Sequence, residues 1–135
     1  MEYTQIVAEA DLDALEAAAA LIAERCSVRV LKAPTPGMVM VRHVDPLEGT
    51  PFYLGEVYVT ECEVEVDGSL GYGCCLGSSS RRGLFAAMVD AVLSGSHPVA
   101  DPVRVLLEEE QERIRSRRRL AASAVARTRV DFQVR

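Results

Sequence analysis

The run from Glu56 to Asp67, followed by Gly68, constrains the fold more than any other segment. Tyr58, Thr60, Cys62, Val64 and Val66 alternate with Glu61, Glu63 and Glu65. A period of two with one acidic face predicts an antiparallel strand with one side in a core and the other in water. Asp67 and Gly68 supply the two positive-φ residues of a type I′ turn, so the chain should double back along Ser69 to Leu76. A hairpin therefore sits at the centre of the fold.

Helical spacing flanks this hairpin. From Asp11 to Cys26, Leu12, Leu15, Ala19, Ile22 and Ala23 recur at intervals of three and four, which predicts an amphipathic N-terminal helix. Ser27 to Leu31 reads as a strand that runs into a turn at Pro34 to Gly37; Met38 to Val44 reads as another strand, and Asp45 to Pro51 as an irregular loop. The serines at 78 to 80 offer capping oxygens to a helix whose apolar set is Leu84, Phe85, Met88, Val89, Val92 and Leu93. Gly95, Ser96 and Pro98 end it. Asp101 and Pro102 then read as the cap and first residue of a last helix that reaches about Ala126. The apolar seam of that helix, Val103, Leu107, Ile114, Ala121 and Val125, is narrow, and residues 108 to 119 hold four glutamates and five arginines. Such a helix is either solvated and self-paired, through pairs such as Glu109 with Arg113 and Glu112 with Arg115, or covered by a partner. The expected class is α+β in one domain, 1–135: an N-terminal helix, an antiparallel sheet with a hairpin, two C-terminal helices and a short terminal strand.

Composition narrows the function. A chain of 135 residues with net charge -5 has no global attraction for a nucleic-acid backbone, and the absence of Trp leaves few stacking platforms. The acidic start and the short apolar run from Ala17 to Ala23 resemble neither a secretory signal nor a membrane span. No nucleic acid, no membrane and a cytoplasmic location are the expectations. Cys26, Cys62, Cys74 and Cys75 match no zinc-binding spacing, and His43 and His97 add no ligand pattern, so neither a bound metal nor a cofactor is expected. The glycines at 71, 73 and 77 fail the dinucleotide pattern and lie in a predicted strand, where close approach of another backbone explains them. Glu61, Glu63 and Glu65 share a face that can bind a hard cation, yet a solvated sheet face is the plainer reading. Ser78 to Ser80 lack the nucleophile-elbow pattern.

Five segments, taken in order, resemble the PhnG family of the bacterial carbon-phosphorus lyase core complex. They are KAPTPGMVMV from Lys32 to Val41, GTPFYLGEVYVT from Gly49 to Thr60, DGSLGYGCCLG from Asp67 to Gly77, AAMVDAVL from Ala86 to Leu93, and TRVDFQVR from Thr128 to Arg135. The resemblance implies a subunit that is inactive alone and assembles with PhnH-, PhnI- and PhnJ-like chains. With PhnH, PhnI and PhnL it would support displacement of adenine from ATP by a phosphonate; ATP would be a substrate of the complex, not a cofactor of this chain. The radical cleavage step belongs to PhnJ, whose cluster-binding cysteines are absent here. Two departures, Thr60-Glu61 in place of Thr-Arg and Gly77-Ser78-Ser79 in place of Gly-Arg-Asp, remove cations from positions where the family has them.

On this reading Leu107, Ile114, Ala121 and Val125 form the expected partner interface. Glu56, Arg129 and Asp131 are the candidates for orienting a polyphosphate. An alternative is an independent phosphonate- or nucleotide-binding module that uses Arg81 and Arg82 at a helix start. A thiol enzyme using Cys74 or Cys75 is a third possibility, and pairing of the isolated chain with a second copy stays open.

Overall fold

A computed structural model describes residues 2–128. The elements are helices α1 (Tyr3–Glu9) and α2 (Leu12–Arg25), strands β1 (Val28–Val44), β2 (Pro51–Val66) and β3 (Ser69–Leu76), and helices α3 (Ser80–Ser94) and α4 (Ala100–Arg127). The strands form one antiparallel sheet in the order β1-β2-β3. This is the expected α+β arrangement, with a short additional helix, α1, ahead of the predicted one. The expected terminal strand falls outside the described residues.

The central hairpin forms as its sequence demands. Asp67 (φ 47°) and Gly68 (φ 85°) turn the chain, and Val66 pairs with Ser69, Val64 with Gly71 and Cys62 with Gly73. Cys62, Val64 and Val66 are buried, whereas Tyr58, at the same phase, is exposed because the helices do not reach that far along β2. Gly71 and Gly73 let α3 lie directly on the sheet: a Cβ at Gly71 would sit 2.1 Å from the Ala87 carbonyl oxygen, and one at Gly73 would sit 2.3 Å from that of Gly83. Close backbone approach is thus the role of these glycines, and α3 supplies the backbone.

Helix α3 is capped as predicted, the Arg82 amide donating to Ser79 Oγ at 3.2 Å. It is apolar on most of its circumference because it packs against the sheet and also against α2 and α4. Leu15, Ala18, Ala19 and Ile22 of α2 and Val103, Leu107 and Ile114 of α4 complete the core. Helix α4 begins at Ala100, with Val99 rather than Asp101 as its cap, one or two residues before the expected start.

The larger departures lie in β1 and β2. No turn occurs at Pro34 to Gly37; β1 runs through both prolines, pairing Thr35 with Glu61 and Pro36 with Thr60, with register irregularities around Ala33 and Pro34. Proline is tolerated there because β1 is an edge strand and the ladder is bulged. Pro51 opens β2, which therefore starts five residues earlier than the Glu56 predicted. The connecting turn at 45–50 is closed by the Asp45 amide donating to the Thr50 carbonyl (3.0 Å), with Gly49 at φ 68°.

Candidate functional site

The β1–β2 ribbon extends beyond the helices as a two-stranded arm. No residue from Arg29 to Tyr58 is buried. Met38 pairs with Tyr58 and Met40 with Glu56 on one face, while Val39 pairs with Val57 on the other, so apolar groups occupy both sides. Met40 is 53% exposed and Leu54 is 63% exposed, with Phe52 and Tyr53 beside Leu54. Among the described residues, the edge-to-face contact of His43 with Phe52, ring centroids 5.4 Å apart, packs aromatic surface near the tip. A two-stranded hairpin without a third strand or a covering helix is marginal in water, and apolar groups exposed on both of its faces make it a candidate contact surface. A signal was present in the sequence: MVMV and PFYL are unbroken apolar runs in strands, a pattern that calls for cover on both faces rather than one.

At the helical end of β2 the open sheet face is internally neutralised. Glu65 accepts from Arg29 (2.7 Å), and Glu61 accepts from Lys32 (3.3 Å) and from the Tyr72 hydroxyl (2.6 Å). The tyrosine bond, then Lys32, lowers the Glu61 pKa, and the same bond raises that of Tyr72. These cross-strand pairs make the acidic face a solvated sheet surface.

A cavity of about 420 Å³ opens between α1, β3 and α3, lined by Tyr3, Val7, Cys75, Val89, Asp90 and Leu93 among others. Its carboxylate is engaged, since Asp90 Oδ2 accepts from the amide of Tyr72 at 2.9 Å, and no cation lines it. An apolar hollow with one carboxylate does not suit a phosphonate or a nucleotide triphosphate.

Arg81 and Arg82, the expected anion-binding pair, each have a partner within the chain. Arg81 binds Glu16 (2.7 Å) and lies over the Phe85 ring, while Arg82 donates to the Val7 carbonyl oxygen at 3.1 Å. Glu56 is exposed in mid-strand on the arm, not at a strand end as expected, and Arg129 and Asp131 lie outside the described residues. Burial raises the Cys75 and Cys62 thiols, the opposite of what a thiolate nucleophile requires.

The α4 seam divides in two. Leu107 and Ile114, each 2% exposed, belong to the chain's own core, whereas Ala121 and Val125 face solvent together with Leu120. The charged run is not simply self-paired. Arg117 reaches Asp11 (2.7 Å), Arg118 binds Glu9, and Arg113 takes Glu110 rather than Glu109 as its partner (2.9 Å). Glu110 is 1% exposed and accepts from the Asp11 amide at 3.0 Å, fastening α4 to the junction of α1 and α2. Among the described residues, no helix is long and apolar enough to cross a membrane. One group of metal-capable side chains, Cys26, Asp67 and His97, converges at the end of the sheet opposite the arm.

A family model described as phosphonate metabolism protein PhnG matches residues 1–135. The chain is 35% identical over 133 residues to the alpha-D-ribose 1-methylphosphonate 5-triphosphate synthase subunit PhnG of Rhizobium meliloti (strain 1021), covering 97% of this chain and 84% of that protein. It is also 36% identical to the putative C-P lyase subunit protein HtxH of Stutzerimonas stutzeri, over a stretch covering 53% of this chain and 24% of that protein.

Proposed function

The chain belongs to the PhnG family, and from that premise we propose that it is a non-catalytic subunit of the complex that transfers a phosphonate to the ribosyl triphosphate of ATP. In that reaction a phosphonate oxygen attacks the ribose anomeric carbon and the bond to adenine breaks. This chain supports the step by assembly: it docks the β1–β2 arm on a PhnI-like chain, within a complex that also holds PhnH- and PhnJ-like chains. The observation that carries the reading is the arm, on which residues 36 to 58 include no buried side chain while Met38, Met40, Phe52, Tyr53 and Leu54 stand in water. The engagement of Arg81 and Arg82 inside the chain supports an assembly role over independent binding of phosphonate or nucleotide.

The test is co-expression of the full chain with a PhnI-like chain, followed by size-exclusion chromatography. The wild type should co-migrate, and a Met40→Asp/Leu54→Asp variant should elute alone with its melting temperature unchanged, because neither residue contributes to the core. Unaltered co-migration of that variant, or a wild type that never co-migrates, refutes the arm as the docking element. Calorimetry of the isolated chain with ATP and methylphosphonate separates the binding-module alternative, since the assembly role predicts negligible heat.

A further inference from the structure

Away from the arm, three side chains remote in sequence meet at one point. Cys26 caps the C-terminus of α2, Asp67 is the first residue of the β2–β3 turn, and His97 lies in the connection between α3 and α4. One ligand atom from each lies within 4.8 Å of the other two. We propose that Cys26, Asp67 and His97 bind a zinc ion, with a fourth position open to water. Nothing in this proposal depends on the assembly role of the arm.

The donor set suits zinc more than a hard cation. One thiolate, one imidazole and one carboxylate are borderline-soft ligands, and three protein ligands plus an exchangeable position is a common zinc arrangement. Metal bonds of about 2.0–2.3 Å in a tetrahedron hold neighbouring donors about 3.4–3.6 Å apart. The side chains must therefore close by roughly 1 Å, which rotamer adjustment supplies without movement of the backbone. Cys26 would release its thiol proton to solvent on binding.

The surroundings already orient these groups. The Ser27 amide donates to Asp67 Oδ1 (2.8 Å), and His97 Nε2 lies 2.9 Å from Ser69 Oγ. Such outer hydrogen bonds fix the attitude of ligands in metal sites. The bare backbone of Gly95 leaves room for both side chains where they stand, since a Cβ there would fall 2.6 Å from His97 Nε2 and 2.5 Å from Ser69 Oγ. A cation between Cys26 and Asp67 offsets the repulsion of a thiolate by the neighbouring carboxylate. Spacings of 41 and 30 residues belong to no motif, so the pattern was invisible in the sequence.

The full chain, stripped with a chelator, is titrated with cobalt(II) as a spectroscopic stand-in and then with zinc. One equivalent of cobalt should bind and produce a thiolate charge-transfer band that zinc abolishes. Cys26→Ser should lose the band, and Cys74→Ser, at an exposed thiol outside the group, should keep it. Asp67→Asn preserves the turn, since asparagine tolerates positive φ, and His97→Gln preserves polarity. Each should weaken cobalt affinity at least tenfold with an unchanged far-ultraviolet spectrum. Absence of stoichiometric binding, a band that survives Cys26→Ser, or folded Asp67→Asn and His97→Gln proteins with undiminished affinity would overturn the site.

Discussion

Replacing Glu110 by alanine tests whether α4 is fastened to the N-terminal helices by a single buried carboxylate. Glu110 Oε1 accepts from the Asp11 amide at 3.0 Å, its Oε2 accepts from Arg113 at 2.9 Å, and Arg117 stands 3.6 Å away. Loss of the carboxylate orphans the Asp11 amide, which costs about 1–3 kcal/mol. Both arginines remain in contact with water, so their lost pairing adds only about 0.5 kcal/mol each. The deleted Cγ methylene, buried on the face of α4 that also carries Leu107 and Ile114, adds roughly 1 kcal/mol. The total is about 4 kcal/mol, a large share of the stability of a domain this size. With a urea dependence of about 2 kcal/mol per molar, the unfolding midpoint should fall by roughly 2 M. Glu110→Gln keeps an acceptor for the amide and should cost only about 1 kcal/mol. Urea denaturation of the three proteins, with amide exchange at Asp11 as a local probe, decides the matter. An alanine variant within about 0.5 kcal/mol of wild type would show that the buried carboxylate fastens nothing.

Gly71→Ala should lower stability by about 1–3 kcal/mol, because the new Cβ would lie 2.1 Å from the Ala87 oxygen and must push α3 off the sheet. Gly37→Ala is the matching control, since its Cβ would meet Val59 Cγ2 and Glu61 Oε2 at an ordinary 3.6 Å; equal thermal midpoints for the two variants would remove the close-approach argument. The Glu61–Tyr72 bond predicts two pH windows. The lowered carboxyl contributes stability above its unfolded pKa that is lost as pH falls through its folded one. The raised phenol contributes stability below about pH 10 that is lost as pH rises beyond it. Denaturation curves recorded across both ranges should be flatter in Tyr72→Phe, and unchanged curves would mean that the bond does not persist in solution.

Local rules made the hairpin legible. Asp67 and Gly68 have few alternatives to a tight turn, and Ser79 had an orphan amide to cap three residues on. The glycines of β3 were correctly read as sites of backbone approach, because only a close neighbour makes side-chain absence useful. Long-range choices were hidden. Pro34 and Pro36 read as a turn because sequence does not reveal which strand lies at a sheet edge, where a missing N–H costs nothing. Glu110 looked like one more member of a charged run, since its burial is set by Asp11 and the chain near Glu9, about a hundred residues away. Leu107 and Ile114 fell on the same predicted seam as Ala121 and Val125, yet α4 outruns the body that covers its first half. The candidate cavity and the Cys26, Asp67 and His97 cluster are products of tertiary contact alone.

The projecting ribbon also bears on how such a chain is made in quantity. Two greasy sides on one thin finger cannot be shielded by pressing it against a flat wall; a groove or a pair of jaws must close around it. Until that happens, the edge of β1 offers unpaired backbone to any like molecule nearby. If the arm docks as proposed, synthesis without its companion favours sticking between copies, and the balance of subunit production becomes a condition for keeping the chain in solution.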